Sequence, residues 1–362
     1  MNSKQTPGLN IVVACGGTGG HVFPGLTTAR TLRSRGHVVT VWLSGRAVEE
    51  AALPAWDGPI WRTGARPLRA GTFLAIVASV FRCVRQMRRV RPDRLLAMGS
   101  YASLPPAVAA WLCGVPVVLH EANTVPGQAV DGLSRLARVT AVSFPGTEAA
   151  LPGRRVVLTG LPVRRELAGA GRPARQAPGF AVLVTGGSQG AHAVNERCCG
   201  ALCRLAAQGF KGLRVMHQSG AADADGLRAR YAAAGVDAQV VPFIRDMGAA
   251  YAAADVAVCR AGAVTCAELC LCGVPAILIP LPSAVRDHQR HNAAALVTGG
   301  GAMLAEQGTL TDDTLADLLR GLADAPSRRA AMAAAQLRLA VPDADARLAD
   351  CVAGATSLKS RA

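Results

Sequence analysis

The feature that most constrains the fold of this chain is a glycine-rich turn that occurs twice. The stretch "NIVVACGGTGGHV" begins at residue 10 and "AVLVTGGSQGAHA" begins at residue 181, so that Gly16 and Gly186 occupy matching places 170 residues apart. Each stretch consists of an apolar strand, a glycine turn and the start of a helix. The repeat therefore predicts two similar α/β domains, each built on its own parallel sheet.

Strand-length apolar runs alternate with helical segments, which is typical of βαβ units and of parallel sheets covered on both faces. The predicted strands are Ile11–Ala14, Val38–Trp42, Leu95–Met98, Val117–Leu119, Ala181–Thr185, Leu213–His217, Val256–Cys259 and Ala276–Ile279. We expect two doubly wound, Rossmann-like domains at 1–163 and 164–340, with a Gly-, Pro- and Arg-rich join near 162–178. A last helix is predicted within 341–362. It could pack either on the first domain or on the second.

Net charge limits the partners. The formal charge of +15 favours an anionic partner, which could be a nucleic acid, an anionic membrane or a phosphate-bearing small molecule. Aromatic residues make up only 4% of the chain, and its basic residues are scattered through linker and helix ends. Because single strands need stacking platforms, we do not expect nucleic acid as a partner.

The cysteines and the apolar stretches indicate a protein of the reducing cytosol. The eleven cysteines form neither paired CxxC clusters nor a Cys/His zinc spacing, so we expect small core residues in a reducing environment. The expectation rests on six cysteines that lie among helical alanines and leucines, namely Cys198, Cys199, Cys203, Cys266, Cys270 and Cys272. The apolar stretch 101–119 is interrupted by prolines and a glycine, and residues 1–8 are polar, so neither a membrane span nor a cleavable signal is predicted.

The glycine turns indicate phosphate binding. Glycine lets backbone amides approach a ligand, and a helix N-terminus presents unpaired N–H groups to it. The alternative is a pair of tight turns without a ligand. A nicotinamide fingerprint is not supported, because Val22 replaces the third glycine and the second strand ends in "VWLSGR" without an acid. Neither turn carries the Gly-Lys-Ser/Thr ending of a P-loop.

A histidine follows directly on the first turn. An imidazole with a pKa near its reference value of about 6.5 can take a proton from a hydroxyl at neutral pH, so His21 is a candidate general base. The alternative is a histidine that only caps or packs against the turn.

Seven segments together resemble one family, the MurG family of N-acetylglucosaminyl transferases of peptidoglycan synthesis. They are "GGTGGHVFPGL", "MGSYASLPPAVAAWLCGVPVVLHEAN", "TGLPVR", "TGGSQGAHAVN", "VPFIRDM", "CRAGAVTCAEL" and "DHQRHNA". The resemblance implies a GT-B fold, in which two Rossmann-like domains face a cleft. It also implies inverting transfer of GlcNAc from UDP-GlcNAc to the C4 hydroxyl of MurNAc in lipid I, undecaprenyl-pyrophosphoryl-MurNAc-pentapeptide, to form lipid II. The sequence departs from the family pattern at Ser100, Leu104, Ala122 and Leu161.

Donor-binding roles are implied by the same resemblance. Glu268 would bind the ribose, Ile244 would read uracil through its backbone, and the turn at Gly187 would hold the diphosphate. Gln289 and Asn292 would contact GlcNAc. The full set of donor positions is Thr18, Gly19, Gly20, Asn123, Arg164, Gly187, Ser188, Gln189, Ile244, Ala263, Val264, Thr265, Glu268, Gln289 and Asn292.

Acceptor and catalytic roles are implied in the first domain. Acceptor-binding positions are Gly17, His21, Tyr101, His120 and Glu121. We expect His21 to be the base, with Glu121 and His120 as alternatives. His120 and Glu121 end an apolar strand, where polar groups belong at a ligand crevice; for His120 the alternative is a buried histidine. No acidic metal motif ends a strand in the second half, so neither a cofactor nor an obligatory metal ion is predicted.

A basic amphipathic segment offers a route to a lipid substrate. "GTFLAIVASVFRCVRQMRRVRP" combines an apolar stripe with a cluster of arginines, as in helices that lie in an anionic membrane interface. The membrane-binding candidates are Phe73, Leu74, Val77, Phe81, Arg85 and Arg88. The alternative is a core helix with a solvated basic end. With a lipid substrate, we expect a peripheral protein on the cytoplasmic face of the bacterial membrane, with the cell-wall synthesis machinery as a further candidate partner.

Two other classes of function are compatible with the sequence. Another GT-B enzyme that uses a UDP-sugar, either a glycolipid synthase or a UDP-GlcNAc epimerase, would carry similar donor motifs. A noncatalytic nucleotide- or nucleic-acid-binding protein would show affinity without turnover.

Overall fold

The computed structural model describes residues 8–46, 49, 53, 56–67, 70–163, 167, 179–187 and 190–354. The chain divides into two compact units. The first comprises Met1–Arg164 with Asp343–Ala362, and the second comprises Arg165–Pro342.

The described part of the first unit contains a seven-stranded parallel sheet in the order β3-β2-β1-β4-β5-β6-β7. Its strands are β1 (Asn10–Ala14), β2 (Val38–Leu43), β3 (Ile60–Arg62), β4 (Arg94–Ala97), β5 (Val117–Glu121), β6 (Val139–Val142) and β7 (Val156–Leu158). Its helices before the second unit are α1 (Gly19–Ser34), α2 (Phe73–Val90), α3 (Leu104–Leu112) and α4 (Gln128–Leu133). The strand order reverses between β1 and β4, as in a doubly wound fold.

The described part of the second unit repeats this plan with a six-stranded parallel sheet in the order β10-β9-β8-β11-β12-β13. Its strands are β8 (Phe180–Thr185), β9 (Leu213–Gln218), β10 (Asp237–Val241), β11 (Val256–Cys259), β12 (Ala276–Leu278) and β13 (Ala302–Leu304). Its helices are α5 (His192–Ala207), α6 (Ala224–Ala233), α7 (Met247–Ala253), α8 (Ala263–Cys272), α9 (His288–Thr298), α10 (Asp312–Ala323) and α11 (Pro326–Leu339). The fold class predicted from the sequence is confirmed.

Burial explains why β1 is apolar at every position. Ile11 and Val13 pack into a core with Leu26 of α1, whereas Val12 packs on the opposite face of the sheet in a core with Met87 of α2. Successive side chains of a strand point to opposite faces, so a strand covered on both sides must be apolar throughout.

The last described helix, α12 (Ala344–Ala353), belongs to the first unit. Leu348 is fully buried in the core on the α1 side of the sheet. Thr31 of α1 donates a hydrogen bond to Asp345 (2.6 Å), and Arg35 pairs with Asp350 (2.7 Å). The chain thus returns to its first unit after completing the second.

All eleven cysteines are free thiols. Five of the six used for the core prediction are buried, but Cys203 is only half-buried, because its position on α5 lies near the surface beside Arg230. The buried thiols behave as small apolar residues, and burial raises the pKa of Cys270 to about 12.

We expect Leu348→Ala to lower the free energy of unfolding of the first unit by about 2–5 kcal/mol, because it deletes a fully buried side chain and leaves a cavity. Chemical denaturation followed by tryptophan fluorescence would measure the change. Leu74→Ala is the matched control in the same unit, since Leu74 is 81% exposed and its truncation should cost far less. Equal losses in the two variants would contradict the packing of α12.

Candidate active site

The first glycine turn connects β1 to α1 at the point where the strand order of the first sheet reverses. Thr18 lies at the N-cap of α1, and its Oγ1 lies 2.9 Å from Nδ1 of the half-buried His21. If Nδ1 donates its hydrogen to Thr18, the other ring nitrogen, Nε2, keeps a lone pair that can accept a proton. The contact with Thr18 therefore orients the ring, and the tautomer that donates from Nδ1 is the one that a base requires.

A buried carboxylate holds this turn in shape. Glu49 is fully buried, and its Oε1 accepts hydrogen bonds from Gly17 N (2.7 Å) and from both the backbone and the hydroxyl of Ser44. Its Oε2 accepts from Gly45 N (2.8 Å) and Arg46 N (3.2 Å). Glu49 thus ties the turn after β1 to the loop after β2. The sequence analysis missed this residue, because a single acid outside any motif does not reveal its partners.

The loop after β4 approaches the same turn. Tyr101 lies beside Gly17, which has φ +102°, and the Tyr101 hydroxyl accepts a hydrogen bond from the exposed Arg46 (3.3 Å). Ser100 donates its hydroxyl to Gly16 O (2.8 Å) and accepts from Ala102 N (3.2 Å). The positions Gly17, His21 and Tyr101 therefore lie together in the first unit.

The structure corrects the expectation that His120 and Glu121 face a crevice. His120 is fully buried; its Nε2 lies 3.4 Å from Gly160 O and 3.3 Å from Ser143 Oγ. Burial lowers the pKa of His120 to about 4, so the ring is neutral at pH 7. The loops after β6 and β7 cover the end of β5. His120 is therefore better described as a buried histidine, the alternative given by the sequence.

Glu121 is also buried, and its carboxylate shapes the loop that follows β5. Its Oε1 accepts from the backbone (2.8 Å) and side-chain (3.1 Å) nitrogens of Asn123, and its Oε2 accepts from Gly127 N (2.9 Å). Asn123, predicted as a donor-binding residue, is thus held by Glu121. With its oxygens engaged in this way, Glu121 fits a positioning role better than that of the base.

The second glycine turn connects β8 to α5, again where the strand order reverses. Gly187 has φ +94°, and a Cβ placed on it would meet open space, so this backbone is accessible to a ligand. Its N–H donates to Thr185 Oγ1 (3.2 Å), which is a neutral acceptor. Three predicted donor-binding residues, Ser188, Gln189 and Arg164, lie outside the described residues.

The loop after β10 carries Ile244, whose buried backbone N–H donates to Gln218 Oε1 (2.8 Å). The side-chain amide of Gln218 donates in turn to Gly187 O (2.6 Å). This glutamine, which the sequence analysis missed, connects two predicted donor-binding loops.

The loop after β11 leads into α8, whose first turn contains Ala263, Val264 and Thr265. Glu268 follows in the second turn; it is only 5% exposed and accepts a hydrogen bond from the Tyr251 hydroxyl (3.0 Å). Burial, with a further contribution from Glu268, raises the pKa of Tyr251, so its hydroxyl stays a donor. Because of this burial, Glu268 is not a solvent-exposed charge on the helix surface.

The loop after β12 leads into α9, which carries Gln289 and Asn292. Gln289 is half-buried and accepts from Leu281 N (3.0 Å). Asn292, in contrast, is fully buried and donates to Ala261 O (3.2 Å), next to the start of α8. The two amides share a helix, as predicted, but Asn292 braces the neighbouring loop.

Arg260, a further residue that the sequence analysis missed, lies at the end of β11. Its guanidinium donates to Ile279 O (3.1 Å), Pro280 O (3.0 Å) and Gln307. This buried arginine therefore fixes the loop between β12 and α9.

Comparisons with known proteins identify the family. Residues 11–142 match the glycosyltransferase family 28 N-terminal domain, and residues 181–348 match the family 28 C-terminal domain. A Burkholderia multivorans protein named UDP-N-acetylglucosamine--N-acetylmuramyl-(pentapeptide) pyrophosphoryl-undecaprenol N-acetylglucosamine transferase is 44% identical over 365 residues, which cover 95% of this chain and 96% of the relative. The chain belongs to glycosyltransferase family 28.

Solved structures agree with this family. The crystal structure of Acinetobacter baumannii MurG aligns with a TM-score of 0.79 and 34% identity, covering 95% of this chain and 99% of that one. The chain is therefore a glycosyltransferase of GT-B fold. A UDP-GlcNAc 2-epimerase from Neisseria meningitidis, at 13% identity and a TM-score of 0.70, covers 95% of this chain and 100% of its own, and shares the fold alone.

Three departures from the family pattern have a structural explanation. Ala122 and Leu161 are buried, at 5% and 4% exposure, so an apolar side chain suits each place. Ser100 adopts φ +62°, which favours glycine, but its two hydrogen bonds to the first turn offset part of this strain. For Leu104 the structure offers no explanation.

The two buried histidines predict a pH-dependent stability. Burial lowers the pKa values of His120 and His217 from 6.5 to about 4. Above pH 6.5 both are neutral in the folded and unfolded states. As the pH falls below that value the unfolded state gains protons first, so each histidine should remove up to about 1.4 kcal/mol of stability per pH unit until about pH 4.

We therefore expect His217→Asn to be destabilised at pH 7 but to lose less further stability between pH 7 and pH 5 than the unchanged protein. Melting temperatures at the two pH values would measure this. His291→Asn is the control, since His291 is exposed. Equal losses in the His217 variant and the unchanged protein would contradict the assignment.

Proposed function

We propose that this glycosyltransferase moves GlcNAc from UDP-GlcNAc to the C4 hydroxyl of MurNAc in lipid I, with inversion, to form lipid II. The observation that carries the proposal is the placement of the donor positions. Gly187 and Ile244 lie in the loops after β8 and β10, and Thr265 and Gln289 lie in the first turns of α8 and α9, which follow β11 and β12. The carboxyl ends of parallel strands share one edge of a sheet, so these four segments converge where α/β folds bind ligands. Family membership supports the same reaction.

The mechanism we propose is a single displacement. The acceptor oxygen attacks C1 of GlcNAc, the bond from C1 to the diphosphate breaks with its electron pair leaving on UDP, and the hydroxyl proton passes to Nε2 of His21. One displacement inverts the configuration at C1. The contact between Thr18 and Nδ1 would orient the ring, and the exposed backbone at Gly187 with the N-terminus of α5 would stabilise the leaving diphosphate.

We also propose that this reaction needs neither a cofactor nor an obligatory divalent ion. The support is that the accessible backbone at Gly187 and the N-terminus of α5 can stabilise the charge of a diphosphate electrostatically. Chelation by EDTA should therefore leave the rate unchanged.

The experiment that tests the function follows labelled GlcNAc from UDP-GlcNAc in the presence and absence of a short-chain lipid I analogue. We expect label on the analogue, and release of UDP that requires it. Label in a free epimerised sugar, or on diacylglycerol instead of the analogue, would identify one of the rival GT-B activities and contradict the proposal.

The same assay tests the base. His21→Gln should lower kcat by about 100-fold or more, because it removes proton transfer from the step. His37→Gln is the matched control, because His37 belongs to the same unit and its Nδ1 accepts from Leu9 N at the opposite end of β1. Unchanged turnover in the His21 variant would exclude it as the base.

For the lipid substrate, we propose that α2 contacts the cytoplasmic face of the membrane. Phe73, Leu74 and Phe81 are 62%, 81% and 70% exposed, whereas Ile76, Cys83 and Met87 form the buried side of the helix. Val77 is half-buried, and Arg85 and Arg88 are exposed. Trp111 and Leu112 at the end of α3, missed by the sequence analysis, are exposed as well, and the Cys113 that follows them lines a cavity together with Arg88 of α2. In the part of the chain that the structure describes, no helix is long and apolar enough to cross a membrane.

Flotation with vesicles that contain anionic phospholipid tests this surface. The double variant Arg85→Gln and Arg88→Gln should bind at least about tenfold more weakly, since each basic residue near such a surface contributes about 1 kcal/mol. Leu74→Ser should also weaken binding. Val38→Ser, which alters an exposed valine on β2, is the control. Binding that is unaffected by all α2 changes would contradict the proposal.

A further inference from the structure

One buried side chain joins two loops of the second unit. Gln218 ends β9 and is 3% exposed. Its Oε1 accepts from Ile244 N (2.8 Å), and its Nε2 donates to Gly187 O (2.6 Å) and to Thr185 Oγ1 (3.3 Å). The resemblance implies that the loop at Ile244 reads uracil, and the proposed function assigns the turn at Gly187 to the diphosphate.

Hydrogen bonds to Thr185, Gln218 and Gly190 hold both peptide groups of Gly187 in place. Its N–H donates to Thr185 Oγ1, and its C=O accepts from Gln218 and from Gly190 N (3.0 Å). Glycine at φ +94° has no side chain to hold it, so these hydrogen bonds set the orientation of the turn. A change at Gln218 would therefore change the backbone that faces the ligand.

The same reasoning applies to Ile244. A backbone can distinguish uracil from cytosine, because the two bases exchange donor and acceptor at N3 and at position 4 of the ring. That distinction requires a fixed peptide orientation. The hydrogen bond from Ile244 N to Gln218 fixes the peptide that enters this residue, and the flanking Phe243 and Arg245 are exposed and give it little packing.

We propose that Gln218 is a positioning residue that couples uracil recognition to the diphosphate turn and so sets the preference for uridine nucleotides. This inference rests on the proposed function of the two loops. A neutral amide suits the task, since it offers an acceptor to Ile244 and donors to Gly187 at once. A carboxylate would keep the acceptor, lose the donors and place a negative charge beside a turn that binds an anion.

The test measures the dissociation constants of uridine, UDP and CDP by calorimetry on the full-length chain. Gln218→Glu should keep uridine affinity close to that of the unchanged protein but lower UDP affinity at least about tenfold, since the donors to Gly187 and Thr185 are lost while the acceptor for Ile244 remains. Gln218→Met should lower the affinity for both uridine and UDP. It should also reduce the ratio of UDP affinity to CDP affinity.

Gln336→Met is the matched control for a merely structural role. Gln336 is a fully buried amide of the same unit that also joins two backbone segments, donating to Gly301 O (3.0 Å) and Val274 O (3.3 Å). Its loss should lower the melting temperature while the three dissociation constants stay unchanged. If the Gln218 variants behave in this way, the inference is overturned although the proposed function stands.

The remaining outcomes are also decisive. Should Gln218→Met not fold, the isosteric Gln218→Glu decides the matter alone, because a parallel loss of uridine and UDP affinity contradicts its expected pattern. If the unchanged protein binds no UDP, the proposed function fails, and the inference fails with it.

Discussion

The hydrogen bonds that brace the two glycine turns are the interactions on which the site depends. Glycine allows the backbone to approach a ligand but does not hold it in one conformation. In the first unit, Glu49 bonds the turn after β1 to the loop after β2. In the second unit, Gln218 bonds the turn after β8 to the loop after β10. Each turn thus takes its shape from a buried side chain of a neighbouring segment.

The two braces differ in charge, which fits different tasks for the two turns. The Gly17 amide is bonded to a carboxylate, so this N–H is already used by an anion. The Gly187 amide is bonded to a neutral hydroxyl, and the Gln218 brace is neutral as well. A diphosphate is therefore easier to place on the second turn, whereas the first turn presents His21 for proton transfer.

The sequence predicted the fold well because the central strands of a covered parallel sheet must be apolar. All eight predicted strands are present, with ends displaced by at most two residues. The missed strands were short or polar, such as Ile60–Arg62 and Asp237–Val241. Four of the five missed strands, β3, β7, β10 and β13, lie at sheet edges, where fewer side chains are buried and the apolar signal is weak. The fifth, β6, lies inside the first sheet but has only four residues.

The site was predicted less completely, since burial depends on segments distant in sequence. His120 was expected at a crevice, but Ser143 and Gly160, which follow the unpredicted strands β6 and β7, bond to it and help enclose it. Gln218 stands at the end of an apolar run, and nothing in that run indicates its bonds to Gly187 and Ile244. Sequence motifs located the loops, but only the structure showed which side chains hold them.

The most direct test of this division between the two units is the affinity for UDP in two single variants. Glu268→Gln, in the second unit, should weaken UDP binding at least about tenfold, whereas His21→Gln, in the first, should leave it unchanged. Equal losses in the two variants, or no loss in Glu268→Gln, would contradict the assignment of the nucleotide to the second unit.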